Sequence, residues 1–124
     1  MTDGPTEHVS HPVGVAATTE DLCEVVITAP DTDWLIQFVR TLIGERLAAG
    51  CHVIERVQSL YPWQGQVRQT SEARAAIRTR LSHLPEIIRL VEEQHPYQLP
   101  SVVALPLAGA SEGYATWIRA STEP

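Results

Sequence analysis

Hydrophobic positions recur along this chain in two different periods, and the switches between them lay out its elements. Leu22 to Thr28 is a short β-branched run closed by Ala29-Pro30, the pattern of a buried strand followed by a turn. From Asp33 to about Ala49 the period becomes helical, with Thr32 or Asp33 placed to cap the first turn. Projected at 3.6 residues per turn, Trp34, Leu35, Ile36, Phe38, Val39, Leu42, Ile43 and Leu47 spread over an arc of roughly 200°, about twice the width one core face needs. Gly50 then offers a residue that tolerates left-handed backbone at the helix end.

Cys51 to Trp63 reads as a long strand whose alternation fails at Glu55-Arg56, the mark of a bulge, and Gly65 marks a hairpin turn. The next segment supports two readings. Ser71 to Arg78 has helical composition, yet Gln66 to Thr79 also alternates, with Val67, Ala73, Ala75 and Ile77 on one face and Arg68, Glu72, Arg74 and Arg78 on the other. A second helix spans Ser82 to His95, with Ser82 as N-cap, Pro85 in the first turn, and Leu84, Ile87, Ile88 and Val91 on one face. Pro96 forces His95 out of the helix, and Pro100 forces Leu99 to be extended. Ser101 to Leu107 reads as a buried strand and Gly113 to Ala120 as a short terminal helix carrying Tyr114, Trp117 and Ile118.

Composition narrows this picture. The 124 residues fit one domain, which we place at 22–121, because Met1 to Asp21 has too few apolar residues to offset its ordering entropy and reads as a disordered tail. A net charge of -6 with nine arginines and no lysine argues against a nucleic-acid partner. The absence of a signal-peptide pattern or a long apolar run argues against a membrane and for a cytoplasmic location. Cys23 and Cys51 lack CxxC or Cys/His spacing, so they read as reduced, buried thiols.

The chain resembles the CutA family of divalent-cation tolerance proteins through Thr28-Ala29-Pro30-Asp31, Ser59-Leu60-Tyr61-Pro62-Trp63-Gln64-Gly65, Ile77-Arg78-Thr79 and Gln94-His95-Pro96-Tyr97-Gln98-Leu99-Pro100. The resemblance runs from about Val25 to Ser121 and decides the ambiguous segment in favour of strand. The order strand, helix, strand, strand, helix, strand is then the ferredoxin-like α+β sandwich, with a long central hairpin and a short C-terminal helix. Two helices cover one sheet face and leave the other bare, and the hairpin exposes strand edges, so a homotrimer is expected. In this topology the first and second strands are not neighbours, which excludes a Cys23–Cys51 disulfide.

The family also implies grooves between subunits lined by Tyr61 and Trp63 of the hairpin and by His95 and Tyr97 of the Pro-bracketed turn. A divalent metal, copper or zinc, is the implied ligand, with His95 as the weak candidate donor. Ile27, Gln94 and Ser101 stand where some members place cysteine, histidine and glutamate, which argues against copper at that constellation. Arg68 and Thr70 replace carboxylates, and Gly50 replaces a common cysteine. His8 and His11 read as solvated tail residues. No nucleophile and base share a motif, so no enzyme is expected. The wide arc of the first helix suggests a surface for a second protein in a larger assembly, with Ile36, Val39, Arg40, Ile43 and Gly44 as its candidates.

Overall fold

The computed structural model describes residues 14–124. Eight elements follow in chain order: β1 (Leu22–Ala29), α1 (Thr32–Gly44), β2 (Gly50–Trp63), β3 (Gln66–Arg80), a one-turn 3-10 helix (Leu81–His83), α2 (Leu84–Gln94), β4 (Val102–Pro106) and α3 (Glu112–Ser121). The strands form one antiparallel sheet in the order β2-β3-β1-β4. The ambiguous segment is therefore strand throughout, because each apolar member of its alternation meets an apolar neighbour: Ala75 pairs with Ile27, and Ile77 with Val25. The fold is the α+β sandwich expected from the element order.

Alternation sorts the sheet into two faces. Cys23, Val25, Ile27 and Ala29 of β1, with Ala73, Ala75 and Ile77 of β3, pack under Leu35, Phe38, Val39 and Leu42 of α1 and Ile87, Leu90 and Val91 of α2. On the opposite face, among the described residues, one end alone is covered, where Ala115 and Ile118 of α3 pack on Leu22 and Ala49, with Trp117 and Tyr114 alongside. Gly50 lies under this helix, and a Cβ there would sit 3.3 Å from the Trp117 ring. Its role is thus close approach in β2 rather than the helix end expected of it.

Helix α1 stops at Gly44, five residues short of the expected Ala49. Arg46 takes left-handed backbone (φ 62), Leu47 N donates to Leu42 O and Arg46 N to Ile43 O; together they make a Schellman ending with arginine where glycine is usual. Two bonds hold that arginine: Nε to Glu123 O at 2.9 Å and Nη2 to Ala120 O at 2.7 Å. The start is capped by Asp31, whose side chain accepts from Asp33 N, rather than by Thr32 or Asp33. Likewise Ser82 is no cap, because the 3-10 turn precedes α2, and β4 is covered on one face only.

The tail expected to be disordered over 1–21 is corrected in part. Its first thirteen residues, His8 and His11 among them, lie outside the described residues. From Gly14 onward the chain is tied down: Val15 bridges Ser111, Ala16 N donates to Ala110 O, buried Thr19 donates to Leu107 O, and Asp21 pairs with Arg119 at 2.8 Å. Backbone bonds to a linker of similar polarity supply what a hydrophobic pattern does not reveal.

Cys23 and Cys51 are free, and β3 lies between their strands, which sets the two residues about two strand spacings apart. Burial pushes the Cys51 thiol up to about 11, partly offset by a hydrogen bond with the Ala76 backbone. Only the thiolate reacts, so alkylation of Cys51 in the native protein near pH 8 is expected to run about a hundredfold slower than in the unfolded chain. Mass spectrometry after timed iodoacetamide exposure measures this; equal rates would contradict it.

Candidate functional site

The hairpin and the Pro-bracketed turn meet at the end of the sheet where β1 stops. Ala29 of β1 pairs with Ala73, and beyond that row β2 and β3 continue as a two-stranded arm from Val57↔Glu72 to Trp63↔Gln66. The arm begins at the expected bulge, where the register shifts between Ile54 and Val57 and Arg56 turns left-handed (φ 61). It ends in a two-residue turn, Gln64-Gly65, with positive φ at both positions, the geometry that suits strand twist. At about 3.3 Å per residue, Gln58 to Trp63 runs roughly 20 Å from the body. Leu60, Trp63 and Val67 are exposed on it, Trp63 at 52%.

His95 stands at the root of this arm, 8% exposed. Pro96 ends α2 at Gln94 and leaves His95 extended (φ -66, ψ 140), as the proline requires. Its Nδ1 accepts from Tyr97 N at 3.0 Å, so that nitrogen carries no proton. Nε2 therefore donates to Thr28 O at 2.8 Å. The ring also meets Trp34 edge-on, centroids 5.1 Å apart, and Trp34 stacks on Phe38. Both ring nitrogens are thus engaged within the chain. Its role is to pin the turn to β1.

Tyr97 follows, its ring 5.1 Å from that of His95 and its hydroxyl donating to Glu72 Oε2 at 2.9 Å. Burial, then the hydrogen bond and charge of Glu72, then Tyr61, push the Tyr97 phenol up to about 12. A raised folded value means that this group stabilises the native state below pH 10 and that the contribution is lost as pH rises from about 10 to about 12. Ultraviolet titration of the native protein is expected to show one tyrosine ionising about two pH units late, and Tyr97→Phe to remove that step. A wild-type curve without it would refute the contact.

The structure thus brings together His95, Tyr97 and, through its influence on the phenol, Tyr61. Trp63 lies at the arm's far end and joins no other site residue within one chain. Glu72 is the member that pattern reading placed on a solvated face, and it is 7% exposed. Its signal was its position opposite the bulge, where the arm leaves the body.

The first-helix candidates separate. Val39 is 5% exposed and belongs to the core, so it is withdrawn from any partner surface. Ile36 and Ile43 are exposed, as are Arg40 and Gly44. The arc is wide because α1 is packed both by the sheet and by the turn at Trp34 and His95. Among the described residues no three His, Cys, Asp or Glu side chains gather as metal ligands. Ile27 is wholly buried core.

Comparison with known proteins places this geometry. Residues 23–121 match the family described as CutA1 divalent ion tolerance protein. The divalent-cation tolerance protein CutA of Pectobacterium atrosepticum is 35% identical over 103 residues, 81% of this chain and 94% of that protein. Among solved structures, the divalent cation tolerance protein of Thermus thermophilus superposes with a TM-score of 0.79 at 32% identity, covering 82% of this chain and 99% of its own. CutA from Synechococcus elongatus reaches 0.82 at 26% identity, over 89% and 96%.

Proposed function

Since the chain belongs to the CutA1 divalent ion tolerance family, we propose that it acts in the response to divalent metals as a non-enzymatic homotrimer, whose subunit crevices at Tyr97, Tyr61 and Trp63 bind a ligand. The observation that carries this reading is the arm. A two-stranded ribbon with Leu60, Trp63 and Val67 in water is marginal alone and gains its stability from a neighbour. The bare sheet face supports the same reading: Val26 and Ala76 share a row with exposed Val103, and exposed Leu105 and Ile54 flank it. The relatives are named as tolerance proteins, which accords with a role that involves no catalysis.

Metal enters this reading as the condition answered rather than as an ion held by one chain, because both His95 ring nitrogens are engaged within the chain and both cysteine thiols are pushed up by burial. Among the described residues no helix is long and apolar enough to cross a membrane; the location proposed is cytoplasmic. Light scattering is expected to give the mass of three chains. Calorimetric titration with Cu(II) and Zn(II) is expected to give no heat beyond that removed by His8→Ala/His11→Ala. Heat that survives this double variant would restore direct binding, at donors shared between copies. Exposed Ile36 and Ile43 favour a second reading, a trimer that builds a larger assembly with another protein, and a mass well above three chains would support it.

A further inference from the structure

Glu72 is the largely buried acid of this crevice, 7% exposed, and its second oxygen keeps an edge on solvent, since it is not among the buried unpartnered atoms. Its Oε2 accepts from Tyr97 Oη, and among the described residues that phenol is its sole hydrogen-bond partner. The ion pairs there join Arg78 to Glu24, Arg89 to Glu86 and Glu93, and Arg119 to Asp21, so Glu72 is in no direct ion pair, although Arg74 two residues on shares its strand face. A carboxylate withdrawn from water is well held only when paired or fully hydrogen-bonded, and one neutral donor does neither. Beside it stands the part-exposed ring of Tyr97, which has the His95 ring on one side. Such a face attracts positive charge. An anion would be repelled by Glu72, and a divalent metal would find a single carboxylate with no donor set around it.

We propose that Glu72 and the Tyr97 ring form a site for the ammonium group of a small organic amine, the carboxylate taking the charge and the tyrosine face the carbon next to it. The proposal rests on the crevice reading given above. This chain has no lysine, so among side chains another copy of it could supply a guanidinium or an imidazolium but no ammonium group.

The test titrates the full chain with putrescine and with its uncharged diol counterpart by calorimetry, with light scattering of the same samples. The expected result is that putrescine binds, the diol does not, and Glu72→Gln weakens putrescine about tenfold or more with the assembly mass unchanged. Should Glu72→Gln fail to fold, Tyr97→Leu, which removes the ring face, is expected to weaken putrescine by a similar factor. The proposal is overturned if the two compounds bind alike, if putrescine gives no heat up to about 10 mM, or if the folded variant binds unchanged. It is also overturned if Glu72→Gln breaks the assembly, since an arginine of a second copy would then hold the cation's place. A wild-type mass below three chains would instead fail the trimer reading, and the putrescine titration would still report on Glu72.

Discussion

Replacing His95 by alanine is expected to destabilise the protein by about 2–4 kcal/mol with no metal present. Two part-buried groups lose their partners at once: Thr28 O, which accepts from Nε2, and Tyr97 N, which donates to Nδ1. A polar group stranded in a fully buried site costs about 1–3 kcal/mol and one still reached by water less, and the edge contact of the buried ring with Trp34 is lost besides. Denaturant unfolding at fixed protein concentration, with and without chelator, measures the effect. A loss of the same size in both conditions supports the pinning role. A variant whose stability differs from wild type only when copper or zinc is added would return His95 to the ligands.

An aspartate at Val103 separates two descriptions of the bare sheet face by an even larger margin. In one chain Val103 is 52% exposed, and surface substitutions usually stay within about 0.5 kcal/mol. In a trimer that buries this row the same carboxylate would sit unpaired away from water, at a cost of about 3 kcal/mol or more per subunit. That corresponds to at least a hundredfold in the association constant. Val103→Asp is therefore expected to fold with a normal circular dichroism spectrum but to give a single-chain mass in dilute solution by light scattering. A variant that keeps the wild-type mass would show that Val103 lies outside the interface, and the proposed burial of the open face would be wrong.

The candidate site was legible to the extent that local chemistry writes it. Pro96 after His95 foretells the helix end, and Gln64-Gly65 with an interrupted alternation at Glu55-Arg56 foretells the hairpin and its bulge. Glu72 was marked in the sequence by nothing but its place opposite the bulge; its burial was not legible, because a carboxylate in an alternating strand reads as solvated and its partner Tyr97 is distant in the chain. The end of α1 was misplaced for a related reason. Arg46 holds left-handed backbone through bonds to carbonyls of the last few residues, and no local pattern announces them.

What the chain determined by itself is its alternation of periods, hence most of the strands and helices, since backbone geometry converts apolar spacing directly into a face; Gln66 to Thr79, helical in composition and alternating in pattern, was decided as the second hairpin strand by the family resemblance. Only the tertiary structure decided which faces were spent. It showed that α1's broad apolar arc, Val39 included, is mostly core, that residues 14–21 are tied to the α3 linker, and that both His95 ring nitrogens are engaged within the chain. Each of these depends on partners far apart in sequence, and their proximity is a property of the packed chain that no window of neighbouring residues contains.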